Sequence, residues 1–231
     1  MYLDDNLLAR LNRLVRALCS KPEHLGSYLR DSLMNPESYA VWSQIYFGRH
    51  KDHKRELSPS RRQPWFSYDA IEFLKRNLRR DMDVFEWGAG GSTIFFAQRC
   101  HSVRSVESNE DWSTFLLNQF ERYSISNASL IQVPEDFVSV SEFETSSYCN
   151  AIVESTYDVI IVDGVDVPPF QYRPLCFARA EKHVRPGGWI IVDDAWRYQD
   201  LRSNNQAKSL TIFEGIGPGR LGVTSTDIYS Y

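Results

Sequence analysis

Residues 84–93 read V-F-E-W-G-A-G-G-S-T. The apolar run at the start is typical of a buried β-strand, and it ends at an acid before a glycine turn. Gly88 and Gly90 allow positive φ angles or a close approach of the backbone to a ligand, and Ser92 is predicted to cap a helix that starts at Thr93. Because the N-terminus of a helix after such a turn attracts polar and anionic groups, this segment predicts a nucleotide-binding site.

The residue types in the turn indicate which nucleotide it suits. A dinucleotide-binding turn has glycine in its sixth position, G-x-G-x-x-G, whereas this chain has Thr93 there. Glu86 is expected to place a carboxylate beside the turn, where it repels phosphate and favours a cationic ligand with an amino group. S-adenosylmethionine is such a ligand, so a nicotinamide-dependent oxidoreductase is disfavoured.

A second acid follows at the distance expected for a ribose contact. Residues 102–106, S-V-R-S-V, are typical of a second strand, which ends at Glu107, 21 residues after Glu86. Nucleotide-binding βαβ units carry an acid about 20 residues on, at the tip of the second strand, where it accepts hydrogen bonds from ribose hydroxyls. The alternative is that Glu107 is an exposed loop residue.

Together with later blocks, these motifs resemble those of the class I S-adenosylmethionine-dependent methyltransferases. The blocks are E-W-G-A-G-G-S-T at 86–93, S-V-E-S-N-E-D-W at 105–112, Y-D-V-I-I-V-D-G at 157–164 and R-P-G-G-W-I-I-V-D-D at 185–194. They stand in the family's order and spacing and cover about residues 65–231. One departure is Ser92, which stands where the family usually has its third glycine.

The order of predicted elements indicates an α/β fold. Strands are predicted at 84–87, 102–106, 128–133, 157–162 and 188–192, with helices at 93–99, 110–122, 146–154 and 172–184. Such alternation predicts a parallel, doubly wound sheet. Two consecutive strands at 209–214 and 223–229 predict a closing β-hairpin. The expected architecture is therefore a Rossmann-like methyltransferase sheet, mostly parallel with a C-terminal antiparallel hairpin, preceded by N-terminal helices.

The N-terminal part is predicted to be a separate region. Residues 4–19 have leucines at helical spacing, and a second helix is expected at 36–47. The basic, proline-broken run 48–63 is interpreted as a mobile lid or a solvated loop, and the alternative is that it grips RNA or an acidic acceptor. We therefore divide the chain into 1–63, the N-terminal helices with a basic lid loop, and 64–231, the S-adenosylmethionine-binding catalytic domain. The aromatic segment 64–68 is expected either to line an acceptor pocket or to pack the N-terminal helices on the sheet.

Acids follow every predicted parallel strand, at the sheet edge where ligands of open parallel sheets bind. They are Glu86, Glu107, Glu135, Asp136, Asp163, Asp193 and Asp194. The resemblance implies that Glu86 and Asp163 face the methionine end of the cofactor. Glu107 then faces the ribose, and the 135–137 region faces the adenine. The cofactor-binding residues predicted in this way are Glu86, Gly88, Gly90, Ser92, Glu107, Glu135, Asp136 and Asp163.

Three of these acids bear on mechanism. Asp163, with the pair Asp193 and Asp194, resembles the magnesium site of catechol, caffeoyl-CoA and macrocin types of O-methyltransferase, so Mg²⁺ is the metal to expect if the three bind one. The alternative is that Asp163 binds the methionine amino group, while Asp193 and Asp194 are hydrogen-bonded loop carboxylates. Without a metal, crowding raises the pKa of one carboxyl and makes it a general base. The predicted catalytic residues are Asp163 and Asp193.

The composition and net charge of the chain indicate which classes of binding partner to expect. The 231 residues carry a net charge of −4, which disfavours nucleic acid, and no run approaches the roughly 18 apolar residues of a membrane span. Four widely spaced cysteines are typical of a reduced, cytoplasmic protein. The sequence is compatible with an oligomer. We expect a methyltransferase acting on an oxygen, hydroxyl or carboxylate, of a small molecule or short peptide. The alternatives are an N-methyltransferase of a small amine or nucleic acid, and a non-catalytic cofactor-binding module.

Overall fold

The computed structural model describes residues 7–33, 57, 62–152, 155–164, 166, 170–218 and 223–231. The α-helices within these ranges are α1 (Leu7–Ser20), α2 (Leu25–Tyr28), α3 (Tyr68–Asn77), α4 (Gly91–Ala97), α5 (Glu110–Arg122), α6 (Val140–Thr145) and α7 (Arg173–Ala180). The strands are β1 (Asp83–Trp87), β2 (Ser102–Glu107), β3 (Ala128–Gln132), β4 (Tyr157–Val162), β5 (Val184–Val192), β6 (Ser209–Ile216) and β7 (Val223–Ser230). The predicted helix at 36–47 and most of the predicted lid at 48–63 lie outside the described residues.

The strands form one seven-stranded sheet in the order β3-β2-β1-β4-β5-β7-β6. The pairs from β3 to β5 are parallel, whereas β7 is antiparallel to both β5 and β6. The predicted fold class, including the C-terminal antiparallel hairpin, is confirmed. The chain leaves β1 to form β2 and β3 on one side and later returns to place β4 on the other side. The ends of β1 and β4 therefore mark the switch point where ligands of such sheets bind.

Side chains of the central strands alternate between two buried faces, as the strand repeat requires. Phe85 and Trp87 of β1 belong to a core cluster on one face, together with Tyr172 and Phe177 of the α7 region. Val84 belongs to the cluster on the other face, which α3 and α4 cover. Burial on both faces explains why these strands are almost continuously apolar in sequence.

The predicted bounds of one helix and one strand are wrong. The helix predicted at 146–154 lies at Val140–Thr145, because the Ser139 hydroxyl accepts from Glu142 N at 3.3 Å and caps its first turn. The Glu142 carboxylate in turn accepts from Val138 N at 2.9 Å. This reciprocal Ser-x-x-Glu arrangement is a helix-start signal that the apolar pattern concealed. The strand predicted at 188–192 begins earlier, at Val184, so it includes the R-P-G-G segment.

The N-terminal helices pack directly on the sheet domain. Leu14 and Leu18 of α1 pack against the cluster that α3 and α4 cover, and Tyr28 is buried within it. Asp31 is fully buried and accepts a 3.0 Å hydrogen bond from the Tyr68 hydroxyl. The structure therefore gives Tyr68 the packing role that was one of two alternatives for segment 64–68. The division at residue 63 stays a prediction. None of the helices within the described ranges is both long enough and apolar enough to span a bilayer.

Candidate active site

The glycine turn lies where the ends of β1, β2 and β4 meet. Gly88 has φ +84° and donates its N–H to Val106 O at 2.9 Å. A Cβ atom at this position would lie 2.5 Å from Asp163 O, so the turn requires glycine both for its backbone angle and for its close approach to β4. Gly90 differs, since its φ of −178° suits any residue. The nearest atom to a Cβ at Gly90 would be Ser92 Oγ at 3.9 Å. The space above Gly90 is therefore open.

Glu86 lies beneath the turn and is fully buried. Its carboxylate accepts hydrogen bonds from the hydroxyls of Ser92, Thr93 at 2.6 Å and Ser105 at 2.8 Å. Burial raises the pKa of the Glu86 carboxyl to about 7, against the lowering effect of these three hydroxyls. Glu86 therefore joins β1, β2 and α4. Its contact with a ligand's amino group stays a prediction.

The predicted capping role of Ser92 is wrong. Helix α4 begins at Gly91, with Gly90 at the N-cap, so Ser92 already lies in the first turn. Its hydroxyl is directed to Glu86 instead. The Thr93 hydroxyl accepts from Gly90 N at 3.0 Å, which satisfies one of the free backbone donors at the helix start. The Ser92 hydroxyl donates to the buried Glu86 carboxylate and therefore does not cap the helix. Local sequence could not show that Glu86 would be buried.

Glu107 orients the turn from the end of β2. Its Oε2 atom accepts from Ala89 N at 3.1 Å, and Oε1 accepts from Ser108 N and Asn109 N at 2.9 Å each. Burial raises the pKa of the Glu107 carboxyl to about 7, although the three backbone donors lower it. Glu107 is 4% exposed, so the alternative of an exposed loop glutamate is wrong. The ribose contact stays a prediction.

Helix α5 supports the other side of the turn. Trp112 Nε1 donates to Ala89 O at 2.8 Å, and the indole stacks on Phe115. Leu57, from the predicted basic loop, is buried beside them. Its backbone N–H donates to Gln119 Oε1 at 3.0 Å, and its carbonyl accepts from the Tyr123 hydroxyl at 2.9 Å. Sequence reasoning missed this anchor, although a lone leucine in a polar basic run was a usable signal.

The region predicted to face adenine is partly open. Glu135 and Asp136 are exposed, and Ser108 Oγ lies 3.5 Å from Glu135 Oε2, which brings together the loops after β2 and β3. Although Glu135 is exposed, partial desolvation of its carboxyl raises the pKa, while the hydrogen bond from Ser108 lowers it. Phe137 turns inward and packs edge-on against Tyr172 at 5.1 Å.

The three acids predicted to hold magnesium are directed to separate protein partners. Asp163 Oδ1 lies 3.1 Å from Arg173 Nη1. Asp193 Oδ1 accepts from Thr226 Oγ1 at 3.0 Å. Asp194, in a left-handed conformation with φ 51°, accepts from Thr224 Oγ1 at 2.9 Å. Thr224 and Thr226 are two residues apart on β7. The hairpin therefore donates a hydrogen bond to each member of the acidic pair.

The charges at these strand ends are balanced by arginines. Arg173 is only 9% exposed, and the Arg197 side chain is 15% exposed. Arg197 Nη2 lies 3.0 Å from Asp166 Oδ2. Burial, then the charge of Asp163, raise the pKa of the Asp193 carboxyl well above its usual range, while Arg173 lowers it. Within the described ranges, no group of three acid, histidine or cysteine side chains is arranged to hold a metal ion. The residues present therefore do not fit the predicted magnesium site.

No family model and no curated protein sequence matches the chain. Solved structures do match its fold. An O-methyltransferase from Bacillus cereus in complex with SAH has a TM-score of 0.57 and 17% identity, over 88% of this chain and 95% of the other. A putative O-methyltransferase from Klebsiella pneumoniae has a TM-score of 0.51 and 14% identity, over 88% and 99%. A putative rRNA methylase from Clostridium thermocellum has a TM-score of 0.52 and 10% identity, over 71% and 94%.

These similarities bear on architecture alone, because identities of 10–17% leave acceptors and site residues undetermined. The TM-scores of 0.51–0.57 support a shared arrangement of the sheet and its helices. The chain therefore has the fold of the class I S-adenosylmethionine-dependent methyltransferases.

Proposed function

We propose that the protein is an S-adenosylmethionine-dependent methyltransferase that acts on an oxygen, hydroxyl or carboxylate, of a small molecule or short peptide. The observation that carries the proposal is the glycine turn at the switch point. Buried Glu86 and Glu107 hold it from below, and the space above Gly90 is open. A turn held in this way lets the backbone approach a nucleoside closely, which is what a preformed cofactor site needs.

Two features support oxygen as the accepting atom. The Bacillus cereus and Klebsiella pneumoniae neighbours are named O-methyltransferases or putative ones, and both align over 88% of this chain. The strand ends also hold carboxylates that can receive a proton from a hydroxyl. S-adenosylmethionine supplies the methyl carbon, and the acceptor oxygen forms the new bond as the carbon–sulfur bond breaks, leaving the electron pair on sulfur.

Asp163 and Asp193 have different parts in this proposal. The Asp163 side chain is 29% exposed and paired with Arg173, so we assign it the role of orienting an acceptor. Burial raises the pKa of the Asp193 carboxyl well above its usual range, so only its ionised form can act as a base, and that form binds a proton more strongly than an ordinary carboxylate does. A hydroxyl acceptor would pass its proton to Asp193, whereas a carboxylate acceptor is already ionised at neutral pH and needs no base.

Gly90→Ala tests the cofactor site with little disturbance of the fold. Among the described residues other than its chain neighbours, the nearest atom to the new methyl group is Ser92 Oγ at 3.9 Å, so thermal stability is expected to stay unchanged. It does occupy the space a nucleoside needs, so calorimetry should show S-adenosylhomocysteine binding weakened by at least about tenfold, or roughly 1.4 kcal/mol. Gly215→Ala, on β6 and also open, is the matched control. Undiminished binding in Gly90→Ala would place the cofactor elsewhere.

N-methylation of a small amine or of nucleic acid is the second candidate. Its nucleic-acid form is supported by one structural neighbour, the protein from Clostridium thermocellum named a putative rRNA methylase. Turnover of methyl-labelled S-adenosylmethionine against hydroxyl, carboxylate, amine and RNA acceptors separates the two. Binding of the cofactor without turnover of any acceptor class would favour a non-catalytic module. A cytoplasmic location and an oligomeric state remain parts of the proposal that cell fractionation and sedimentation would test.

A further inference from the structure

A positively charged side chain of the protein, the guanidinium of Arg173, lies between the ends of β4 and β5. Arg173, the first residue of α7, reaches back to both strand ends. Its Nε atom donates to Gly164 O at 2.8 Å, and Nη1 donates to Asp193 O at 3.1 Å. The same Nη1 atom lies 3.1 Å from Asp163 Oδ1. One buried guanidinium therefore joins two carbonyl groups and a carboxylate across the position where the sequence predicted a metal.

The partners of the remaining acids agree with this arrangement. Asp193 and Asp194 direct carboxylate oxygens to the hydroxyls of Thr226 and Thr224, on the β7 side of the strand ends. Thr226 also accepts from Ser67 N at 3.1 Å, which connects Asp193 to the start of α3. A divalent cation would need these carboxylates to turn away from β7 and converge beside Asp163. It would also have to approach a guanidinium of like charge in a buried site, where repulsion is poorly screened.

We propose that the Arg173 guanidinium occupies the position that a divalent cation would take at this edge of the sheet. The wild-type protein therefore forms no metal site there. Arg173 is a positioning residue: it fixes the ends of β4 and β5 relative to each other and neutralises Asp163. The inference rests on the structure of the strand ends. If the protein has the proposed function, methyl transfer should then proceed without added metal.

Manganese binding tests the inference without any acceptor or cofactor. In electron paramagnetic resonance titrations, wild-type protein is expected to leave the free Mn²⁺ signal unchanged. Arg173→Met and Arg173→Gln remove the charge while keeping much of the side-chain volume. The Asp163 carboxylate is then freed, and the positive charge that repels a cation from Asp193 and Asp194 is gone. Both variants are therefore expected to bind Mn²⁺ at concentrations at least about tenfold below any at which the wild type binds it. Arg173→Gln retains a donor for Gly164 O and serves as the milder variant. Arg179→Gln, which changes another arginine of α7, is the matched control.

Two results would overturn the inference. One is stoichiometric Mn²⁺ binding by wild-type protein that is lost in Asp163→Asn, because the metal site would then coexist with Arg173. The other is no gain of Mn²⁺ affinity in either Arg173 variant once circular dichroism shows that it is folded. If neither variant folds, the wild-type and Asp163→Asn titrations decide alone, with absence of binding supporting the inference. The proposed function fails separately, through loss of S-adenosylhomocysteine binding or of turnover.

Discussion

Replacing Glu86 by glutamine should change how the stability of the protein depends on pH. The carboxyl is fully buried, and its pKa is about 7 in the folded protein against 4.5 in the unfolded chain. Between these two values the unfolded chain has released the proton while the folded protein still holds it. The free energy of unfolding of the wild type therefore falls as pH rises through this window, and the loss is complete above about pH 7.

The size of the effect follows from the displacement of the pKa. Each pKa unit corresponds to about 1.4 kcal/mol, so the full change in the free energy of unfolding is about 3 kcal/mol, and most of it occurs between pH 5 and pH 8. Glutamine stays neutral throughout, and its amide oxygen still accepts from the hydroxyls of Thr93 and Ser105, which can rotate to suit it. From pH 5 to pH 8, Glu86→Gln should therefore gain stability relative to the wild type, by roughly 2 to 3 kcal/mol.

Urea unfolding followed by circular dichroism at several pH values measures this difference directly. Glu110→Gln, which changes an exposed glutamate at the start of α5, is the matched control and should follow the wild type. Parallel curves for Glu86→Gln and wild type across pH 5–8 would refute the reasoning, because they would mean that the buried carboxyl titrates normally. Loss of S-adenosylhomocysteine affinity in the same variant would support the predicted contact of Glu86 with the ligand's amino group.

Three further substitutions address the turn and its supports. Glu107→Ala is expected to weaken S-adenosylhomocysteine binding by about 1.5–3 kcal/mol, roughly 10- to 150-fold, because ribose hydroxyls lose their acceptor; calorimetry measures it, and unchanged affinity would show that the ribose lies elsewhere. Gly88→Ala should lower the free energy of unfolding by about 2 kcal/mol or more, since its Cβ would lie 2.5 Å from Asp163 O at a positive φ. A normal urea midpoint would contradict that strain. Leu57→Ala removes a buried anchor, so trypsin should cleave the basic loop at 48–63 faster than in wild type. Equal cleavage rates would show that Leu57 does not hold the loop.

Local sequence was sufficient for the architecture. The apolar runs that form β1 and β4 are readable because strands buried on both faces need continuous hydrophobic residues. Gly88 predicts a tight turn because few residues other than glycine adopt a φ of +84°. The hairpin was predicted from two adjacent strands without a helix between them, and the structure pairs β6 with β7. These signals depend on neighbours along the chain, so the order of elements and the acids at strand ends followed from them.

The partners of those acids were decided by tertiary structure. Asp163 meets Arg173, which is near in sequence, but the geometry depends on how α7 packs beneath β4 and β5. Asp193 meets Thr226, 33 residues away, and Asp31 meets Tyr68, 37 residues away. Whether a carboxylate binds a metal, a ligand or a neighbouring hydroxyl depends on its burial and on which donors surround it. Both depend on long-range packing, whereas the residue types alone determined only that negative charge would gather at this edge of the sheet.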